Sequence, residues 1–372
     1  MESTANRWLH YYATFVAFST FLLLVAGALV TSNDAGLSVP DWPTSFGSFR
    51  ITPPTGWVGG VKFEHGHRLI AGAVVLLTIG LALWLWRAER RPWVRRLGGL
   101  AVLAIVLQAV LGGITVLFYL PVDISVAHAC LAQLFFCITV SLALFTSPGW
   151  RWDEPKIEDA SAPSSRGLAT LTTALVFVQL MLGAAFRHHG FGIVPHVVVA
   201  ALVSAGVLWI LVRVLTVRPR SPSLPSDPSA DGLRDAERGR SVSEVEGRNY
   251  RGARALERSA LVLAGLLVVQ VFLGFASYMI LVENPAMRDQ QPLPSFVEIA
   301  TTHVVVGALL LAASLVLTYR AFQFTSPGQC EVAMPANTSF PRGSTSLTAL
   351  SDQSKGRRES TEPVSRQQKA AV

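Results

Sequence analysis

The sequence predicts an all-α integral membrane protein. Its eight transmembrane helices are expected to form two pseudo-twofold-related four-helix bundles, built from four helical hairpins. Three observations predict this. First, only 15% of the 372 residues are charged and 51% are hydrophobic, against about 25% charged in soluble domains. The deficit lies in eight apolar runs: 12–32, 65–86, 97–119, 123–145, 168–187, 194–217, 259–282 and 297–322. Each is close to the roughly 20 residues needed to cross a bilayer core. Second, a Gln-x-x-Leu-Gly pattern recurs in the odd-numbered runs, and a histidine stands near the start of each even-numbered one. Third, the positive charge alternates between loops, as it does in multi-pass proteins.

The first hairpin joins runs 12–32 and 65–86. Its first run carries a degenerate repeat, with Gly27 in the glycine place and Leu23 in place of glutamine. Its second opens Glu64-His65-Gly66-His67-Arg68. At about 100° per residue, His65 and His67 point to nearly opposite faces, so one of them faces the bundle, and His67 is the choice. Glu64 lies one turn before His67 on nearly the same face, and Arg68 follows Glu64 by four residues, the favourable order for a helical ion pair. The bland alternative is that Glu64 only neutralises Arg68 at the interface while both histidines bond headgroups. The second hairpin, 97–119 and 123–145, carries Gln108-Ala-Val-Leu-Gly112 and then His128 after Asp123. Cys130 and Cys137 share a face of its second helix and read as small packing residues. The third, 168–187 and 194–217, carries Gln179-Leu-Met-Leu-Gly183 and then His196. Pro195 just before it suits a first helical turn. The fourth, 259–282 and 297–322, carries Gln270-Val-Phe-Leu-Gly274 and then His303 after two threonines. Glycine at a hairpin interface permits close helix approach, and glutamine can bond across helices in lipid.

Arg87, Arg90, Arg91, Arg95 and Arg96 crowd one short loop, and Arg218, Arg220, Arg234, Arg238, Arg240 and Arg248 fill a long one. The alternate loops are poor in positive charge. This places both termini in the cytoplasm, and it makes the net charge of +7 a topology signal, not a nucleic-acid footprint. No cleavable signal peptide is evident. The predicted divisions are an N-terminal half 1–146, a cytoplasmic linker 147–166, a C-terminal half 167–322 interrupted by a polar cytoplasmic linker 218–258, and a disordered tail 323–372. The third cysteine, Cys330, is in that tail, so no extracytoplasmic disulfide is expected.

Four-span halves begin and end on one side, so the two halves share an orientation. All four histidines then lie at similar depth toward the outer face, two per half. Histidine inside a membrane is costly and marks function, although any one of the four alone reads as a packed interfacial residue. Small-metal sites need three or four clustered ligands. One histidine from each of two helices instead suits an iron macrocycle held between imidazoles. His67 with His128, and His196 with His303, are therefore expected to form two bis-histidine haem sites. His10, His188 and His189 have no repeat partners and read as interfacial.

The chain resembles the haem A synthases of aerobic bacteria and mitochondria. The resemblance rests on Gly36-Leu-Ser-Val-Pro-Asp-Trp-Pro-Thr-Ser-Phe-Gly47, on Glu64-His-Gly-His-Arg68, and on the order of the later histidines. It covers residues 12–322 without the 218–258 linker. It implies an oxidoreductase that converts a ring methyl of haem O to the formyl group of haem A by successive hydroxylation, for terminal oxidase assembly. It assigns haem b to His196 and His303, the haem O substrate to His67 and His128, and a catalytic place to Glu64. It further implies a bacterial plasma-membrane location and partners in haem O synthesis and oxidase assembly. Many relatives carry a cysteine pair in the first outward loop. Val39 and Ser45 stand in the corresponding places, so no thiol step is expected there. Arg187 and Arg288 are candidates for propionate binding by position. Two rivals stay open from the residues alone: a di-haem cytochrome b that only transfers electrons, and a haem transporter or chaperone.

Overall fold

The structure, a computed structural model, describes residues 6–150, 152, 154, 156–159, 161–216, 232–284 and 292–327. Its helices are α1 (Arg7–Ser32), α2 (Val61–Ala88), α3 (Pro92–Leu117), α4 (Val122–Phe145), α5 (Ser165–Arg187), α6 (Ile193–Thr216), α7 (Gly232–Glu283) and α8 (Pro294–Phe324). Two short strands, β1 (Ile157–Asp159) and β2 (Thr325–Pro327), pair in parallel. Among the described residues, eight helices are long and apolar enough to cross a membrane, and this is an all-α membrane protein.

Local chemistry sets the helix ends. The Asn6 side chain accepts from the amides of Trp8 and Leu9 at 3.1 and 3.3 Å, and the Ser164 hydroxyl accepts from Gly167 at 3.2 Å, satisfying first-turn donors that have no helical partner. Pro92 and Pro294 open α3 and α8, where a missing N–H costs nothing. Inside the spans, Thr20, Thr78 and Thr172 bond the carbonyls of Val16, Val74 and Leu168, which removes exposed hydroxyls from an apolar medium. Large side chains such as Leu76 and Phe272, each 71% exposed in the isolated chain, face outward, where lipid rather than water would surround them.

Each half has its own core. Val16, Leu81, Leu85, Ile105, Phe135 and Leu142 fill the N-terminal one, and Val176, Val207, Ile210, Leu263, Leu311 and Leu317 the C-terminal one. Within the first half α1 packs on α2 and α4, and α3 packs on both of those; in the second, α5 packs on α6 and α8, and α7 packs on both. Between halves α1 meets α8, α4 meets α5, and α4 meets α8. This set of neighbours is unchanged when the halves are exchanged. Ser141 of α4 and Tyr319 of α8 share a hydrogen bond of 3.0 Å across the boundary, and Cys137 of α4 packs into the C-terminal core.

Two boundaries differ from expectation. Helix α7 begins at Gly232, well inside the polar stretch expected only as a linker. Its sequence there is polar but contains no proline from Gly232 to Glu283, so nothing breaks the helix. The tail expected to be disordered from 323 is ordered at its start. Gln323 is buried, the Thr325 hydroxyl bonds the Ala321 carbonyl at 2.7 Å, and residues 325–327 pair with β1. Beyond Pro327 the tail, with Cys330, lies outside the described residues.

Candidate haem-holding histidines

The four repeat histidines meet the four repeat glycines. A Cβ added at Gly27 would stand 3.2 Å from the His67 ring carbon Cε1. At Gly112 the same test meets His128 at 3.0 Å, at Gly183 it meets His196 at 3.0 Å, and at Gly274 it meets His303 at 2.8 Å. Van der Waals contact between carbons is about 3.5–4.0 Å, so each imidazole occupies space that any side chain would take. The glycines therefore seat the histidine rings, beyond easing helix approach as the sequence alone suggested.

The glutamines complete three of the four seats. The Gln108 amide nitrogen lies 3.4 Å from His128 Nε2 and donates to the His128 carbonyl at 3.0 Å. That of Gln179 lies 3.1 Å from both ring nitrogens of His196, and that of Gln270 lies 3.4 Å from His303 Nε2. At His67 the place belongs to Leu23, which is buried and offers no amide.

These seats come in pairs. The rings of His196 and His303 stand 6.4 Å apart, centre to centre, with planes at 74°. Two metal–imidazole bonds of about 2 Å each, together with the ring radii, need roughly that span. His67 and His128 lie within electrostatic reach of each other. Nδ1 of His67, His128 and His303, and Oε1 of Gln108, Gln179 and Gln270, are buried without a hydrogen-bond partner. A buried unsatisfied group costs about 1–3 kcal/mol, so its repetition at equivalent places fits a built ligand site better than accident. Among the described residues no three His, Cys, Asp or Glu side chains gather as a small-metal cage. Paired imidazoles over glycine fit a planar macrocycle, and the donor set suits haem iron.

The loop from Asn33 to Gly60 is tied to the start of α2. The Glu64 carboxylate is buried at 4% exposure, accepting from the Val39 amide at 2.8 Å and from Arg68 at 2.6 Å. Arg68 also donates to the carbonyls of Asp41, Thr44 and Val39 at 2.5, 2.9 and 3.0 Å. The pair thus joins α2 to the loop, and both Glu64 oxygens are engaged. His65 points the other way, bonding the Ile51 carbonyl at 2.9 Å beside Trp57, which leaves His67 on the glycine. Asp41 ties the loop to itself, accepting from the Thr44 hydroxyl and from the amides of Phe46 and Gly47. Desolvation would raise its pKa, but these donors outweigh it and hold the carboxyl below its usual range. The Trp42 ring lies flat against Gly113, filling any Cβ position there. Val39 and Ser45 are both buried.

The remaining sequence candidates fall elsewhere. His10 bonds the Ala143 carbonyl at 3.0 Å, away from the pairs. His188 ends α5, where burial first, then Arg187 and His189, lower its pKa. Arg187 donates to the Thr31 carbonyl at 2.6 Å and to Asp34 at 3.1 Å, with its guanidinium over Phe296. It therefore joins the two halves, a role invisible in the sequence because its hydrogen-bond partners are 156 and 153 residues away. Arg288 lies outside the described residues. Cys130 and Cys137 are free thiols, partly buried on α4. The Arg68 staple and the Trp42 contact were also missed. The Gly112-Gly113 doublet was the available signal for the latter, since one glycine serves His128 and the next serves Trp42.

The chain is similar in sequence to known proteins. A family model described as cytochrome oxidase assembly protein matches residues 63–194, which include Glu64, His67 and His128. A haem A synthase of Lysinibacillus sphaericus is 32% identical over 144 residues, covering 37% of this chain and 45% of the relative. That of Shouchella clausii is 30% identical over 177 residues, 46% and 56%, and that of Symbiobacterium thermophilum 29% over 182, 46% and 58%. The chain spans about half the length of the curated relatives it matches. Over the matched part, the chain is similar to haem A synthases.

Proposed function

We propose that the protein is a haem A synthase, oxidising a ring methyl of haem O to the formyl group of haem A. The observation that carries this reading is the fourfold glycine seat: four imidazoles, in two pairs, each held in a cleft that only glycine leaves open. In this reading His196 and His303 hold a resident haem b, which supplies one-electron redox chemistry when bound, and His67 and His128 hold the haem O substrate. Two successive hydroxylations of the methyl give an alcohol and then a gem-diol, which loses water to the aldehyde. The halves are related by a pseudo-twofold axis along the membrane normal, with the histidine end outward, both termini cytoplasmic, and the plasma membrane of a bacterium as the site. Partners in haem O supply and oxidase assembly follow from the same reading.

The residues do recognisable work within it. The glycine seats fix ring orientation. The 33–60 loop is pinned to α2 by Arg68 and tied to itself by Asp41. Glu64 is the acid–base group. Its bonds to Arg68 and the Val39 amide hold it one helical turn from His67, in place to pass a proton or position a water.

One experiment tests the reading. The full chain is expressed with a source of haem O, purified in detergent, and its haems are extracted and identified. Haem b together with haem O or haem A is the expected result. Two haem b per chain, with no haem O taken up, would point to an electron-transfer cytochrome instead, and no bound haem to a transporter or chaperone.

A further inference from the structure

Both halves seat their histidines on glycine, yet the proposed reading gives them different haems, and the residues around the seats bear on which haem each takes. The residue three before each histidine is one helical turn back, about 4.5 Å along the axis and on nearly the same face. Side chains on a helix lean toward its N-terminus, so each imidazole covers the level of that residue. In the N-terminal half these residues are Glu64 and Ser125; in the C-terminal half they are Ile193 and Ala300. Polar groups thus flank one pair and apolar groups the other.

Glu64 is already committed to Arg68 and the Val39 amide. Ser125 is not committed. It is 4% exposed, and its hydroxyl has no hydrogen-bond partner. This is unusual here, because serines and threonines in the spans bond the carbonyl three or four residues back, as Thr139, Ser204, Ser314 and Thr318 do. The Ser125 amide does bond the Pro121 carbonyl, at 2.9 Å, but the hydroxyl does not follow. Among the described residues the only other buried serine or threonine hydroxyl without a partner is that of Thr301. It lies two residues before His303, on the opposite side of α8 from the imidazole.

Haem O differs from haem b by one large substituent, a farnesyl chain that bears a hydroxyl where haem b has a vinyl group. Resting on the proposed function, we infer that Ser125 recognises this hydroxyl and so selects haem O over haem b at the His67–His128 site. A hydroxyl can donate and accept, so an alcohol satisfies Ser125, whereas a vinyl group would leave it buried and unpaired. A site built to bond a substrate hydroxyl rejects the analogue lacking it. The C-terminal site, with Ile193 and Ala300, has no such requirement and takes haem b.

The test is competitive loading of the full-length protein in detergent. Haem O and haem b are offered together, and the bound haems are extracted, separated and quantified alongside the absorption spectrum. Wild type is expected to take one of each. In Ser125→Ala the preference of the N-terminal site for haem O should fall about tenfold, the size of one lost neutral hydrogen bond, while haem b at the C-terminal site is retained. Ser125→Thr, which keeps the hydroxyl, should restore it. An Ala variant with undiminished haem O preference overturns the inference and leaves the synthase reading intact; wild type that takes only haem b overturns both. If Ser125→Ala does not fold, Ser125→Cys keeps the volume with a poor donor, and the same loss is expected; full haem O preference in that variant overturns the inference equally.

Discussion

Substituting the repeat glycines by alanine should unload the haem sites in an order set by geometry. The added Cβ would stand 2.8 Å from the His303 ring at Gly274, 3.0 Å from His128 and His196 at Gly112 and Gly183, and 3.2 Å from His67 at Gly27. Contact at about 3.5–4.0 Å then requires the ring to retreat by roughly 0.7–1.2 Å at Gly274 and by a few tenths less at Gly27. Overpacking of this kind costs about 1–3 kcal/mol. Where it falls on the bound state, affinity drops by roughly 5- to 150-fold, at 1.4 kcal/mol per decade. The assay is haem titration of the purified variants, following the absorption of bis-histidine haem, with circular dichroism and thermal unfolding in detergent alongside. Gly265, on the same helix as Gly274, is the control, because nothing lies within 4 Å of a Cβ there. Gly265→Ala should bind haem normally and gain up to about 1 kcal/mol of helix stability. Wild-type affinity and spectrum in Gly274→Ala would refute the reasoning, as would equal losses at Gly274 and Gly265.

Glu64→Gln should keep both haems, because a side-chain oxygen still accepts from the Val39 amide, and should abolish conversion of haem O; haem A formation at the wild-type rate would remove the acid–base role. Arg68→Lys should lose most of its bonds, since a point ammonium cannot span the carbonyls of Val39, Asp41 and Thr44 together with Glu64, and limited proteolysis within residues 33–60 should accelerate several-fold. Asp41 has a lowered folded pKa, so its contribution is present above its unfolded pKa of about 3.9 and is lost as pH falls through the folded value. Protease resistance of the loop should therefore survive to about pH 4 and fail below it, whereas Asp41→Asn should show weaker resistance with no transition in that window.

The spans were legible because bilayer thickness imposes a length and a composition that survive any packing arrangement. All eight apolar runs correspond to helices, with ends shifted where capping residues such as Asn6 and Ser164 recruit flanking turns. The pairing of His67 with Gly27, or His303 with Gly274, was half legible. The sequence supplied both residues in every hairpin, 13 to 40 positions apart, but the contact runs between helices, and periodicity along one chain does not say what a glycine faces. Least legible were contacts made by loops. Arg68 donates to main-chain carbonyls, and every residue has a carbonyl, so no residue type at any position advertises the partner. The helical start of α7 within the polar linker was missed for a related reason. Polarity reports the surroundings of a segment, whereas helix formation needs only suitable residues and no proline.

The degenerate first repeat bears on how one seat serves two purposes. At His128, His196 and His303 a glutamine amide lies within hydrogen-bonding distance of the imidazole, but at His67 the place is held by Leu23. His67 is therefore seated by its glycine without an amide. A resident cofactor benefits from every orienting contact, while a substrate must leave after conversion. In the proposed reading, loss of one hydrogen-bonding side chain, worth about 1 kcal/mol, falls on the half from which the substrate haem must leave. Leu23→Gln should restore the fourth amide and slow dissociation of the N-terminal haem several-fold, leaving the C-terminal haem unaffected. Stopped-flow transfer of haem from the loaded protein to an apo-haem acceptor measures both rates, and equal dissociation in variant and wild type would show that the missing amide has no part in release.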